Sequence, residues 1–197
     1  HGAISKYGRL LYQCEYEHIS FCETNQQLVC VKVGSEHFLI SNGVKTKLPS
    51  NSRTRYYYFL SSQLLVRYEE GDEGWYSEYN YVCDLSGKPI LNGFDTFDSE
   101  HEGYIRVNRG WNWDTVDRGG GKCGFINMKG EEVIPCQFQK TKRFNEGLAA
   151  VQMKYKWGFI NTKGEIVIPI VYDDVLSFKG GVALVEKGEE CLYIDKY

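Results

Sequence analysis

The chain has 197 residues, of which 42% are hydrophobic and 25% charged, and its formal net charge is −3. This composition indicates one soluble globular or repeat domain, 1–197. The slightly acidic balance does not suit a phosphate backbone, so nucleic acid is not an expected partner. The sequence has no apolar run near the roughly 18 residues of a membrane span. No charged-then-apolar leader follows His1, so we expect a removed leader or a fragment of a longer protein.

A short motif ending in glycine recurs along the chain. In order, it reads Ala3–Gly8, Phe38–Gly43, Val82–Gly87, Phe125–Gly130 and Phe159–Gly164. The last two copies belong to two similar segments, 122–135 and 156–169, whose starts are 34 residues apart. A fixed period of this size is typical of stacked supersecondary units. We therefore predict five repeats, the first two degenerate: 8–42, 43–86, 87–129, 130–163 and 164–197.

Repeats two and three are longer because each carries an insertion in the same connection, roughly at 69–79 and 108–121. Since both insertions lengthen one connection in adjacent repeats, we expect them to project from the same side.

Each repeat is predicted to form three short strands. In the last full copy these are Gly147–Met153, Trp157–Asn161 and Glu165–Pro169. We expect Pro169 to end its strand because proline cannot donate to the ladder. No stretch shows an apolar stripe with a 3.6-residue period over 11 or more residues. The predicted fold class is therefore all-β: tandem repeats of about 34–44 residues, each a short antiparallel meander.

The repeat motif resembles the WG-repeat (KWG-repeat) family. The matching residues are Lys156, Trp157, Gly158, Phe159, Ile160, Gly164, Val167, Ile168, Pro169, Tyr172, Asp173, Phe178, Gly181, Ala183 and Val185. Asn161 stands where the family has Asp, and other residues replace the tryptophan in the other repeats: Cys123, Cys191, Glu36 and Asn80. The resemblance implies a bacterial β-repeat protein that acts as a binding or interaction module. It transfers no catalytic residues, because the family motif is structural.

Two arrangements of the repeats are open: an open stacked array or a closed ring like a β-propeller. The Trp-Gly strand frame occurs twice, at 1–7 and 191–197. A closed ring needs that strand once, so the duplication favours the open array.

The seven cysteines are expected to be free core residues, because each aligns with an apolar position in another repeat. Cys14, His18, Cys22 and Cys30 superficially resemble a metal cluster, yet the chain has no CxxC motif, so we expect no metal and no cofactor. Free thiols suit a reducing compartment, which favours a cytoplasmic location over an exported one.

Other candidate chemistry has a structural interpretation. Acidic pairs could catalyse glycoside hydrolysis, but Asp173 occupies a turn position of the motif. Glycines 119–121 lack the P-loop context, and His18, His37 and His101 lie in different repeats. We therefore predict no enzyme, with a glycoside hydrolase as the alternative.

The two insertions are the best candidate site. The residues predicted to bind a partner are Trp75, Tyr76, Tyr79, Trp111, Trp113 and Asp114. Tryptophan and tyrosine are common in interaction hot spots, and the acidic neighbours favour a basic partner. A protein or peptide is the expected partner and a glycan the second choice. The alternatives are that these rings cover the degenerate repeats, or that the chain is a spacer or scaffold within a larger protein. Arg53, Arg55 and the tyrosines at 56–58 form a smaller patch, interpreted as a strand with its entering turn.

Overall fold

The computed structural model describes residues 3–4, 10–12, 16–23, 25, 27–70, 78–98, 100–110 and 121–196. Those residues form 21 β-strands and no helix, so the predicted all-β class is confirmed. The chain divides into two compact units, His1–Gly93 and Phe94–Tyr197. No helix in these ranges is long and apolar enough to cross a membrane.

The first unit holds a two-stranded ladder and two four-stranded antiparallel sheets. The ladder pairs β1 (Ala3–Ile4) with β2 (Leu10–Tyr12). The strands of sheet A are β3 (His18–Phe21), β4 (Leu28–Val33), β5 (Glu36–Ser41) and β6 (Val44–Leu48). Those of sheet B are β7 (Thr54–Phe59), β8 (Leu65–Glu70), β9 (Glu78–Cys83) and β10 (Pro89–Asn92). In each sheet, strands consecutive in sequence lie side by side.

The second unit holds three sheets of the same meander type. Sheet C contains β11 (Thr96–Phe97), β12 (Tyr104–Arg109), β13 (Lys122–Asn127) and β14 (Glu132–Phe138). Sheet D contains β15 (Lys140–Thr141), β16 (Leu148–Met153), β17 (Lys156–Asn161) and β18 (Ile166–Tyr172). Sheet E contains β19 (Asp174–Val175), β20 (Val182–Lys187) and β21 (Glu190–Asp195).

The sheets are out of phase with the predicted repeat borders. Gly164 lies in the turn between β17 and β18, the third and fourth strands of sheet D, so a border at this residue divides the sheet. The short first strands, such as Asp174–Val175, are additional to the three strands predicted for each repeat. A two-residue strand has no periodicity that a sequence pattern could reveal.

The expectation that Pro169 ends its strand is wrong, because β18 continues to Tyr172. Trp157 pairs with Tyr172 and Phe159 with Ile168, so the bulged segment 169–171 faces Gly158. The proline therefore sits at a bulge, where its missing N–H removes no regular ladder bond.

The Trp-Gly glycine is the residue that lets this bulge approach. A Cβ on Gly158 would lie 2.6 Å from the carbonyl oxygen of Ile168 and 2.7 Å from that of Pro169. Gly124 of β13 has the same role, since a Cβ there would lie 2.4 Å from the carbonyl oxygen of Ile134. Only glycine fits where two backbones come this close.

Sheet A corrects one predicted alignment. Lys32 pairs with His37 as Gln152 pairs with Trp157, so His37, rather than Glu36, takes the tryptophan position. The predicted alignment was off by one residue because the turn after β5 is short. It consists of Asn42 and Gly43, with φ values of 49° and 78°. Like Trp157, His37 is buried.

The cores lie between successive sheets within a unit. In the first unit, Leu39 and Leu48 of sheet A pack with Tyr57 and Leu65 of sheet B. In the second unit, a phenylalanine ahead of a sheet's second strand packs on the preceding sheet. The Phe144 ring lies 4.7 Å from that of Phe125, and the Phe178 ring 4.9 Å from that of Phe159.

A carboxylate also links each sheet of the second unit to the next. Glu102 accepts hydrogen bonds from the backbone N–H groups of Glu146 and Gly147, at 2.7 and 3.0 Å. Glu146 in turn accepts from Gly180 and Gly181, at 2.5 and 3.0 Å. We call these contacts the carboxylate links. Each receiving turn has left-handed residues that direct both N–H groups toward one anion.

Candidate interaction surface

The two long connections join the second and third strands of their sheets. In sheet B this connection is 71–77, between β8 and β9, and in sheet C it is 110–121, between β12 and β13. The same connection has two residues in sheets A, D and E. Both insertions are thus shorter than predicted, because Glu69, Glu70 and Tyr79 belong to strands of sheet B, and Asn108 and Arg109 to β12.

Most of the predicted binding residues are in the insertions themselves. Trp75, Tyr76, Trp111, Trp113 and Asp114 lie outside the described residues. The backbone of Tyr79 lies in β9, opposite Glu69 of β8. The binding role of all six residues therefore stays a prediction.

Glu69 was expected to contribute to the acidic insertion, and this is wrong. Its side chain is 6% exposed, and its Oε1 lies 3.0 Å from the Nε of Arg67. The Nδ2 of Asn51 donates to the same oxygen at 3.0 Å, and the Thr54 hydroxyl at 3.4 Å. This carboxylate fixes the turn before β7 onto β8, because a buried charge requires partners of this kind.

An aromatic group lies at the base of the 71–77 connection. The rings of Tyr56 and Tyr68 stack with centroids 4.7 Å apart and planes at 7°, and His18 stacks on Tyr56 at 5.3 Å. Tyr58 lies 6.1 Å from Tyr56. We call these four half-buried residues the tyrosine stack. The sequence has three consecutive tyrosines at 56–58, but it could not show that Tyr68 and His18 stack on Tyr56.

The patch at 53–58 was correctly interpreted as a strand with its entering turn. Its tyrosines alternate, so Tyr57 points away from the tyrosine stack, is 1% exposed, and donates its hydroxyl to the carbonyl of Pro49. Burial raises the pKa of Tyr57 to about 12. Arg55 makes an ion pair with Glu70, beside the connection. The exposed end of this strand pair therefore combines aromatic edges with one charge of each sign.

The two described histidines of sheet A have lowered pKa values. Burial lowers the pKa of His18, and the nearby Lys32 adds to the effect. Burial also lowers the pKa of His37, although its Nε2 lies within hydrogen-bonding distance, 3.1 Å, of the Arg55 carbonyl. A neutral His37 fits the closely packed site that Trp157 fills in sheet D.

Packed side chains also form the base of the 110–121 connection. The Arg109 guanidinium lies over the Phe94 ring, 4.5 Å from its centroid, and its Nη2 is 3.4 Å from an oxygen of Glu132. Asn108 is buried and donates to the Cys123 sulfur at 3.3 Å. These contacts hold both strand ends that carry the connection.

A separate open cleft of about 770 Å³ lies in the first unit and was not predicted. Its lining combines the apolar side chains of Leu48 and Pro49 with the paired charges of Glu36 and Lys47 and with serines 35, 50, 52 and 86. Its residues lie in turns and strand ends of sheets A and B and in the segment that joins them, so only the folded register brings them together. It offers hydroxyl groups but no acid–base pair beside a nucleophile.

The cysteines only partly follow the core prediction. Cys22, Cys30 and Cys83 are buried, Cys123 and Cys136 are partly buried, and Cys14 lies outside the described residues. Burial raises the pKa of Cys83 to about 11 and that of Cys136 to about 12. The prediction is wrong for Cys191, which is exposed because no described fourth strand covers β21. In the described part of the chain, no cluster of three His, Cys, Asp or Glu residues could hold a metal ion.

The family comparison agrees with the repeat geometry of the second unit. The model of the WG-containing repeat matches residues 124–157 and 157–191, two tandem copies. These copies include both Gly124 and Gly158, the glycines that face the bulges. A comparison with curated proteins found no match.

Solved structures similar to this chain come from diverse organisms. An uncharacterized protein from Listeria monocytogenes EGD-e has 9% identity and a TM-score of 0.44, covering 92% of this chain and 63% of its own. Hsv2p from Kluyveromyces lactis has 10% identity and a TM-score of 0.39, with 91% and 60% covered. Prolyl oligopeptidase B from Galerina marginata has 10% identity and a TM-score of 0.42, with 93% and 33% covered. The chain spans less than two thirds of each, and these scores assign it to none of their folds.

Proposed function

We propose that this chain, whose residues 124–191 belong to the WG-repeat family, is a non-enzymatic module for protein recognition. Its contact surfaces are built on the connection 71–77 of the first unit and on the connection 110–121 of the second. One observation carries this proposal. The connection between the second and third strands is long in sheets B and C, whereas it has two residues in sheets A, D and E. Long loops on a rigid sheet scaffold are where binding function concentrates.

The base of the first connection supports a contact role. The tyrosine stack has half-exposed rings beside the Arg55–Glu70 ion pair, and residues 71–77 add Trp75 and Tyr76 in sequence. Aromatic side chains supply large contact area at low conformational entropy cost. Asp72 and Glu73 in the same connection favour a partner segment with basic residues.

Several carboxylates with described contacts support the non-enzymatic part of the proposal. Asp173 pairs with Lys156 and accepts from the N–H of Gly188 at 2.8 Å. Asp84 accepts from the N–H groups of Ser86 and Lys88 within its own turn. Glu146 makes a carboxylate link. Each of these groups already stabilises a turn, so none is left to act as a hydrolytic acid or base.

The test is a capture experiment with four baits made from this chain, each carrying a photo-crosslinker. The first is the wild type, and the second has each of the connections 71–77 and 110–121 replaced by the Lys-Tyr turn of sheet D. The third carries Trp75→Ala, Trp111→Ala and Trp113→Ala. A matched control is Tyr155→Ala, which removes an aromatic side chain that is 67% exposed in the homologous short turn.

We expect the wild type and Tyr155→Ala to capture a protein that is crosslinked within 71–77 or 110–121. Capture should be lost with both insertion variants, while their circular dichroism spectra stay those of the wild type. Equal capture of the same proteins by all four baits would overturn the proposal. It would also be overturned if the wild type hydrolysed a glycan substrate and a single Asp or Glu substitution abolished that activity.

A further inference from the structure

The outer edge of sheet A is formed by β6, which among the described residues pairs only with β5. The pairing is regular along the whole strand, from His37 opposite Leu48 to Ser41 opposite Val44. The first four residues of β6 are exposed, and Val44 is 65% exposed. A regular and exposed strand edge of this kind is a template for a further strand.

The fourth strands of sheets B, C and D lack such an edge. In sheet B, β10 contains Pro89, and its register with β9 shifts after that residue. In sheets C and D, β14 contains Pro135 and β18 contains Pro169, and each has register shifts against the strand beside it. Prolines and bulges keep further strands from pairing at an edge. Of these four strands, only β6 has neither.

The hairpin turn fixes which backbone groups of β6 point outward. Both residues of the turn 42–43 have positive φ, as in a type I′ turn, so the flanking Ser41 and Val44 form a hydrogen-bonded pair. Bonded and non-bonded pairs alternate along an antiparallel ladder, so every second residue from Val44 bonds to β5. The N–H and C=O groups of Lys45 and Lys47 therefore point to the outer edge, where they bond to no described residue.

The side chains of the same two lysines determine the charge of this edge. Lys47 is compensated by its ion pair with Glu36. The Nζ of Lys45 lies 4.2 Å from the centroid of the Phe38 ring, and Lys45 makes no ion pair within the described part of the chain. The ring attracts the ammonium group without neutralising it. The edge therefore presents one uncompensated positive charge.

The open cleft of the first unit borders the same edge. Lys47 and Leu48, at the end of β6, line this cleft together with Ser35 and Ser50. A strand added along β6 reaches the cleft at one end. There the serine hydroxyls offer hydrogen bonds to the backbone that continues beyond the ladder.

We propose that the outer edge of β6 binds an extended acidic segment of a partner protein, which places a glutamate or aspartate beside Lys45. The main-chain ladder supplies affinity, and the opposite charges set the register. A second copy of this chain is less suited to the edge, because two paired β6 strands would bring their lysines together. The site uses none of the residues in the two long connections, so it stands or fails independently of the proposed function.

The probe is a fluorescent peptide with the sequence Thr-Val-Glu-Val-Glu-Val-Thr, whose glutamates share one face when it is extended. A second peptide has lysine in place of both glutamates. Each is titrated by fluorescence anisotropy against the whole chain at low salt, because salt screens exposed ion pairs. Amide exchange with mass spectrometry locates the protected strand.

We expect the glutamate peptide to bind and to protect β6, and the lysine peptide to bind more weakly. Lys45→Glu should weaken the glutamate complex by about threefold to tenfold, as for an exposed ion pair that is reversed. The same variant should gain affinity for the lysine peptide. Lys129→Glu, an equal change of charge on an exposed residue of sheet C, should leave both affinities unchanged.

Two further variants at Lys45 test the main-chain ladder separately. Lys45→Thr removes the charge and keeps the outward N–H, whereas Lys45→Pro removes both and leaves the hydrogen bonds to β5 in place. The glutamate peptide should therefore bind Lys45→Pro more weakly than Lys45→Thr, while the circular dichroism spectra of both variants stay those of the wild type.

Equal binding of the glutamate peptide to Lys45→Thr and Lys45→Pro would overturn the proposal. Protection of a strand other than β6, or affinities that do not respond to Lys45→Glu, would overturn it as well. Analytical ultracentrifugation of the chain alone tests the second-copy alternative, and a dimer whose formation protects β6 would replace the proposed partner.

Discussion

At the residue scale, the meaning of the Trp-Gly pair lies in the strand opposite it. Gly158 is required for a steric reason and not for its conformational freedom, because the backbone opposite it leaves no room for a Cβ. The motif itself could be recognised in the sequence, but this reason could not, since it depends on a bulge in β18 at a proline expected to end that strand.

Gly158→Ala should lower the free energy of unfolding by about 3 kcal/mol, at the upper end of overpacking costs, because the contacted atoms are backbone and cannot rotate away. Urea unfolding followed by tryptophan fluorescence would measure it. Gly43→Asn is the control: that glycine has φ of 78° and open space around its Cβ position, and asparagine tolerates this conformation. Similar losses for both variants would contradict the steric explanation.

The residue-level errors have one physical origin, because a repeat alignment assumes that equal positions have equal surroundings. Cys191 shares the Trp157 position and is nevertheless exposed, since the described sheet E has three strands. His37 was missed as the tryptophan equivalent because a turn one residue shorter shifted the register of sheet A.

At the scale of elements, strands two to four of sheet D were largely predictable from their alternating apolar residues and their flanking turns. The predicted 157–161 corresponds to β17 (Lys156–Asn161), and 147–153 to β16 (Leu148–Met153). The short first strands were not predictable, because β15 and β19 depend on pairing with a neighbour rather than on local pattern. The carboxylate links were equally hidden, as their partners are 34 to 45 residues apart.

The link from Glu146 should make stability depend on pH. Lys196 and the N–H groups of Gly181 and Gly180 lower the pKa of Glu146 below 4.5. A lowered folded pKa means that the stabilisation is complete above 4.5 and is lost as pH falls through the folded value. Glu146→Gln should therefore reduce the melting temperature at pH 7, and the difference from wild type should shrink toward pH 3.

Melting curves across this pH range, read by circular dichroism, provide the measurement. Glu189→Gln removes an exposed carboxylate two residues after β20 and should follow the wild-type profile. A constant difference between wild type and Glu146→Gln at all pH values would show that the charge of the link contributes nothing.

For the whole molecule, the sequence predicted the all-β class and the repeating meander. The single domain stays a prediction, and the contacts of the folded chain group into two units. The degenerate repeats form the first unit and the well-matched repeats lie in the second. Of the candidate site, the sequence predicted the insertions and their aromatic content, and it misjudged Glu69. The choice between open array and closed ring depends on contacts between sheets that a linear period does not specify.

The two units should respond differently to mild acid. His18 and His37 lie in the first unit with lowered pKa values, whereas the second unit has only the exposed His101. A histidine with a lowered folded pKa stabilises the fold above the ordinary value of 6.5, and this stability is lost as pH falls from there toward the folded value. The first unit should therefore open before the second between pH 7 and pH 5.

Amide exchange, corrected for intrinsic rates and resolved by mass spectrometry, would measure this order. His37→Phe should flatten the response of β4 to β7 because no proton can be taken up there. Loss of protection in both units at the same pH would contradict the assignment.

The carboxylate links give the second unit a direction, because each link runs from a glutamate to a turn later in the chain. A segment such as 130–163 both receives a carboxylate at its turn and offers one, so it is complementary to a copy of itself. In-frame duplication of the encoding DNA would thus create a new junction that is already matched, with no compensating mutation. The 164–197 segment has Gly180 where 87–129 and 130–163 have Glu102 and Glu146, so its copy would receive no carboxylate. Gene duplication can therefore lengthen this protein from the 130–163 segment more readily than from the 164–197 segment.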